Sequence, residues 1–203
     1  MPYERNVFIN CPFDHEYHRL FRALVFAVQD CGFIPRCALE VEDGSEVRIH
    51  KIVRIVEESR YGVHDISRTE LDEGSRLPRF NMPLELGLFL GAKHFGDSKQ
   101  RVKACIIFDR ERYRYQAFCS DIAGQDIRAH GGDEAELIRC VRDVLVTWSP
   151  PRTLPGGSVM YERYLRFMER LPRLARRVGL RAEELTFQDL VGLVTQWLSA
   201  NPA

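Results

Sequence analysis

Short apolar runs alternate with stretches of helical periodicity along most of the chain, and that alternation narrows the fold more than any other feature. Asn6-Val7-Phe8-Ile9-Asn10-Cys11 is an apolar run stopped by Pro12, which suits a buried first strand. Asp14 can cap the helix that follows, where Leu20, Phe21, Leu24, Val25 and Val28 recur at helical spacing as far as Gly32. Residues 33–39 read as a second strand, placed near a sheet edge by Pro35. Ser45 opens a second amphipathic helix with Val47, Ile49, Ile52, Val53, Ile55 and Val56 as its apolar side. The pattern then predicts a strand over 61–66, a helix over 83–94, a strand over 102–108, a short strand over 126–129 and a helix over 134–148.

Repetition of this kind builds an α/β fold: a doubly wound, mainly parallel sheet of about five strands with helices on both faces. Right-handed crossovers put the C-terminal ends of the strands on one edge. The loops at 11–14, 40–44 and 65–81 therefore face a common crevice, the usual ligand site of an open α/β sheet. A Pro/Gly-rich linker over 149–157 separates this unit, residues 1–148, from a C-terminal helical extension over 158–203. That extension reads as helices at 161–178 and 186–198. The first carries Arg163, Arg166, Arg170, Arg173, Arg176 and Arg177 against only Glu162 and Glu169. It is read either as a solvated face, docking Tyr164, Leu165, Phe167, Met168 and Leu171 on the core or on a second copy, or as a surface for a phosphate-rich partner such as a nucleic acid.

Charge adds little direction. Lysine plus arginine equals aspartate plus glutamate, 29 each in 203 residues, so no global field draws the chain to nucleic acid or anionic lipid. No run approaches the length of a membrane span, and the opening MPYERNVFIN lacks a signal-peptide core, so a cytoplasmic protein without a membrane partner is expected. The six cysteines show no CxxC and no Cys/His spacing suited to zinc; they read as reduced core thiols, and no metal site is expected. Cys11 alone stays open, because it ends a strand beside the crevice.

The chemistry concentrates in the segment YGVHDISRTELDEGSRLPRFNMPLELG, residues 61–87. Glu85 lies one turn into an otherwise apolar helix with Phe89, not a base, four residues on. A buried acid without a partner is costly, so it must be paired, neutral or functional. Asp65 ends the third strand and is either a loop cap or a crevice carboxylate. His64, pointing to the opposite side of the strand, reads as a packed ring. Arg68 and Arg79 suit either a salt bridge or a phosphate. Dinucleotide, P-loop, nucleophile-elbow and zinc-protease fingerprints are absent. Paired carboxylates with arginines suit attack at an acetal-like carbon.

The run VFINCPFD and the tripeptide Glu85-Leu86-Gly87 resemble the first strand and the glutamate-x-glycine motif of the nucleoside 2-deoxyribosyltransferases, and TIR-like domains that cleave NAD also use a glutamate in a comparable helix. The resemblance covers roughly residues 6–108. It implies a flavodoxin-like fold and an N-glycosidic-bond hydrolase or transferase acting on a nucleotide or on NAD, which serve as substrates rather than cofactors. In that reading Glu85 is the nucleophile or cation stabiliser, and Asp65, or alternatively Asp72, is the second acid. Asn10, Pro12, Phe13, Asp14 and Met82 line the substrate, Asn81 contacts a hydroxyl, and Arg68 and Arg79 contact phosphate. The resemblance further implies a homo-oligomer and an effector role in antiphage defence. The rival is a non-catalytic module that senses a nucleotide and signals through the C-terminal helices.

Overall fold

A computed structural model of the chain describes residues 3–41, 43–69, 71, 76, 79–148 and 153–202. Five parallel strands, β1 (Asn6–Asn10), β2 (Ile34–Arg36), β3 (Tyr61–Asp65), β4 (Ala104–Asp109) and β5 (Ile127–Ala129), form one sheet in the order β2-β1-β3-β4-β5. That is the flavodoxin-like order, whose direction reverses between β1 and β3. Every residue of β1 and β3 is buried, as continuous apolar runs in a sheet covered on both faces require. Pro35 lies on the outermost strand, paired only with β1, where its missing N–H leaves no bond unmade.

Among the described residues seven α-helices surround the sheet: α1 (His18–Asp30), α2 (Arg48–Glu57), α3 (Asn81–Phe95), the short α4 (Ser98–Arg101), α5 (Glu134–Trp148), α6 (Gly157–Arg177) and α7 (Phe187–Ala200). Helix α1 packs against α5, α6 and α7, while α2 packs against α3. Two single-turn 3-10 segments, Arg114–Ala117 and Ser120–Ile122, fill the connection from β4 to β5, which carries no periodic pattern. No helix among the described residues is long and apolar enough to cross a membrane.

Two amphipathic faces differ from expectation. On α2 only Ile52, Ile55 and Val56 are buried; Val47, Ile49 and Val53 are exposed. The six apolar positions wrap more of the helix than one sheet face can cover, and the i, i+3, i+4 triplet is the set that docks. On α6 the buried line is Met160, Tyr164, Phe167, Leu171 and Ala175, with Leu165 exposed. This line shares one apolar core with β1, α1 and α5. Phe26 of α1 centres the contact, with ring centroids 5.6 Å from Tyr164, 5.5 Å from Phe167 and 5.7 Å from Trp197. Arg163 reinforces it with a two-pronged contact to Asp30 at 2.9 and 3.1 Å. Of the expected linker, residues 149–152 lie outside the described residues.

Phe167→Ala should therefore destabilise the whole chain by roughly 3–5 kcal/mol. Urea unfolding followed by circular dichroism checks this. A single transition shifted to lower urea is expected, whereas an unshifted main transition with early loss of α6 and α7 would mean that the extension unfolds by itself.

Candidate functional site

The parallel arrangement brings four strand ends together. Asn10 ends β1 opposite His64, Asp65 ends β3 opposite Phe108, and Asp109 ends β4 opposite Ala129 of β5, after which His130 follows.

Asp65 is fully buried and its oxygens are committed. The Ser67 N–H donates to Oδ1 at 2.8 Å, and the Tyr17 hydroxyl donates a short bond to Oδ2. His130 Nε2 lies 3.1 Å from Oδ2. The Gly132 N–H donates to His130 Nδ1 at 2.9 Å, so the ring proton resides on Nε2, facing Asp65. That contact is close but not aligned as a hydrogen bond, so its contribution is electrostatic. Burial, the largest single influence, pushes the Asp65 carboxyl up; His130, Ser67 and Tyr17 together outweigh it and hold the group below its ordinary value. The Tyr17 phenol is driven well above its ordinary value by burial and by Asp65, and stays a neutral donor.

Asp109 is anchored in a similar way on the neighbouring strand. Its Oδ1 accepts from the Arg110 N–H at 2.7 Å and from Arg114 Nε at 2.8 Å. Arg114 also donates to the carbonyl of Ser67 at 2.7 Å and to Thr69 Oγ1 at 3.2 Å, tying the loop after β4 to the loop after β3. Burial raises the Asp109 carboxyl in spite of Arg114.

On the opposite face of the sheet, Asn10 Nδ2 donates to the Met82 carbonyl at 2.8 Å and lies 3.1 Å from His64 Nδ1, fixing the first turn of α3 to the end of β1. His64 packs edge-on against Phe8 and Phe89, and burial, aided by Lys103, pushes it down to about 3. Gly62 makes room for this ring: a Cβ there would lie 2.5 Å from His64 Nε2. His64 is thus a neutral packing residue, as strand alternation implies.

Glu85 sits early in α3, only 6% exposed. Among the described residues no donor bonds its carboxylate; the one charge that eases its burial is Arg48 at the start of α2. Burial pushes it up to about 7. Cys11, which follows β1, feels both carboxylates: burial drives its thiol well up, and Asp65, Cys37, Glu85 and Asp14 add to the effect. A buried thiol among carboxylates is a poor thiolate, so Cys11 is a packing residue of the site floor. All six cysteines are free thiols.

Asp14 lies in the loop after β1. Its Oδ1 caps the turn into α1 through the Tyr17 N–H at 3.0 Å, and its Oδ2 faces Arg68 at 3.5 Å and Arg79 at 3.4 Å. Arg68 also pairs with Glu16. Pro12 is buried, Phe13 half-buried, and Met82 buried under α3. Asn81 is exposed and its side chain makes no hydrogen bond to the described residues. Asp72, the alternative second acid, lies outside the described residues. The structure therefore gathers Asn10, Asp14, Asp65, Arg68, Arg79, Met82 and Glu85 at one edge, with Asp65 and Glu85 approaching from opposite faces of the sheet.

Tyr17, His130, Asp109 and Arg114 do not stand out in the sequence. For His130 and Asp109 a signal exists, since each follows directly on, or ends, a strand whose C-terminal end belongs to the same edge. Among the described residues no cluster of three or more His, Cys, Asp or Glu is arranged to hold a metal ion.

The fold defines an open, parallel α/β protein with its candidate site at the β1/β3 switch. No protein-family model matches the chain, and no curated protein matches it.

Proposed function

We propose that the crevice cleaves or transfers an N-glycosidic bond, with Glu85 as the group that meets the anomeric carbon. The observation that carries this reading is a nearly buried carboxylate, without a hydrogen-bond donor among the described residues and poised at about 7, beside the β1/β3 switch point. A carboxylate kept free of donors retains its basicity and its lone pairs for a developing oxocarbenium ion. As the C–N bond breaks, its electron pair departs with the base. Glu85 bonds or shields the sugar carbon, and water or an acceptor base completes the reaction. With NAD the departing nicotinamide is neutral and needs no proton, so one carboxylate suffices. With an ordinary nucleotide, a proton must reach the base. Asp65, whose oxygens already carry Tyr17, Ser67 and His130, acts here as a positioning residue that shapes the edge.

Arg68 and Arg79 supply positive charge at the rim, and their shared contact with Asp14 sets the terms of phosphate binding. A substrate phosphate exchanges Asp14 for itself, and a charge-assisted bond is worth roughly 1.5–3 kcal/mol. The chain should be incubated with NAD, with nucleotides and with deoxynucleosides, and released base followed by chromatography. Release of base from at least one is expected, with Arg68→Ala weakening phosphorylated substrates more than the matching nucleosides. No release from any of them, with intact ligand bound tightly, would replace this reading with the second.

The second reading is a nucleotide sensor. One observation favours it: Phe13 and Asp14 of the loop after β1 share a cavity of about 180 Å³ with Leu185, Thr186, Phe187 and Leu190 of the extension, so the loop and the entry into α7 meet there.

A further inference from the structure

Far from the crevice, α6 and α7 enclose a groove of about 330 Å³. Arg166, Arg170, Arg173 and Arg177 line it from α6, against the single carboxylate of Glu169; Gln196 and Trp197 close it from α7. Positions i, i+4, i+7 and i+11 keep the four guanidinium groups on one helix face, over about 16 Å of helix axis. The chain as a whole is neutral by formal count, so this is a local concentration of charge rather than a sign of general basic character.

The other arginines of α6 show what occupied ones look like. Arg163 grips Asp30, and Arg176 donates to the Pro172 carbonyl. By contrast, Arg170, Arg173 and Arg177 make no ion pair or hydrogen bond with the described residues, and Arg166 has only Glu162, 3.9 Å away with both side chains exposed. Like charges at i, i+4 repel, a penalty that the free chain does not recover. A neutral protein that holds four cations along a concave groove is complementary to a ligand with regularly spaced negative charge.

We propose that this groove binds the backbone of a single-stranded nucleic acid, with the arginines on successive phosphates. The groove form selects the single strand. A helix that reads duplex DNA must enter the major groove, whereas these exposed arginines lie along a groove bounded on one side by α7. A positively charged groove that follows the backbone is how single strands are tracked without sequence preference.

The test is fluorescence anisotropy of a fluorescein-labelled oligouridylate of about 20 nucleotides, titrated with the full chain at several salt concentrations. For four phosphate contacts on a single strand, log K is expected to fall against log salt with a slope of about −3. Arg170→Glu with Arg173→Glu should weaken binding more than tenfold at low salt and reduce the slope by about 1.4, with an unchanged circular dichroism spectrum. Arg101→Glu with Arg112→Glu alters net charge equally at exposed sites elsewhere and should change affinity less than threefold. Absence of binding by the wild type at low salt would overturn the proposal. So would equal losses in the two double variants, or a blunt duplex bound as tightly as the single strand.

Discussion

Glu85→Gln is expected to raise thermal stability near neutral pH and above, and to lose that advantage in acid. The Glu85 carboxyl moves from an ordinary value of 4.5 to about 7 on folding, because burial penalises its charged form. Between those values the folded chain holds a proton that the unfolded chain has released, so stability falls as pH rises across this window and levels off above it. The penalty accumulated above about pH 7 is roughly 3 kcal/mol. A glutamine amide has no charge to desolvate, and whatever its burial costs is the same at every pH. The difference in midpoint between variant and wild type should therefore grow by roughly 6–12 °C from about pH 4 to about pH 8. Differential scanning calorimetry at the two values checks it. A difference that is independent of pH would mean that Glu85 is not held in a desolvated place.

Asp65→Ala should have the largest effect of any single change at the strand edge. It removes the acceptor of the Tyr17 hydroxyl and the Ser67 N–H, and the negative charge that faces His130 Nε2 at 3.1 Å. Breaking a buried charged cluster by deleting one member costs roughly 3–5 kcal/mol, since the partners stay buried without an acceptor. Asp65→Asn keeps the shape and an acceptor oxygen and should lose less, on the order of 1–3 kcal/mol. The pH dependence has the opposite sign to that of Glu85. The folded Asp65 lies below its unfolded value of 3.8, so its contribution is present at neutral pH and lost as pH falls through that range. Urea titrations of the three chains at neutral pH decide the matter. An alanine variant within about 1 kcal/mol of wild type would contradict the assignment of Asp65 as the organiser of this edge.

These two carboxylates also show how much of the site is legible in one dimension. Glu85 stands out because it is local: an acid on an apolar helix, with no base one turn on. Asp65 stands out because it ends a buried strand, and strand ends in a parallel sheet share an edge. Their environments are not local. Tyr17 reaches Asp65 across 48 positions, and His130 reaches it from behind a three-residue strand with little apolar signal of its own. Whether an aspartate at a strand end is free or fully engaged depends on those distant donors, so the sequence leaves both readings open. The parallel sheet and its common edge follow from alternation and crossover handedness, and the flavodoxin-like order is what the resemblance implies. The docked face of α2 follows from neither, since Val47, Ile49 and Val53 have the same apolar character as the residues that are buried. On α6 the choice among Tyr164, Leu165, Phe167 and Met168 is likewise made by the shape of the α1 surface around Phe26 and not by hydrophobicity.

The central claim, that Glu85 performs chemistry on a glycosidic bond, is tested most directly by released base. Wild type and Glu85→Gln should be compared at about pH 8, where the wild-type carboxylate is ionised, on NAD, on a nucleotide and on a deoxynucleoside. The account predicts turnover by the wild type on at least one of these, rising with pH through about 7, and a loss of roughly two or more orders of magnitude in the folded variant. Equal turnover by the two chains would remove Glu85 from the reaction and contradict the account.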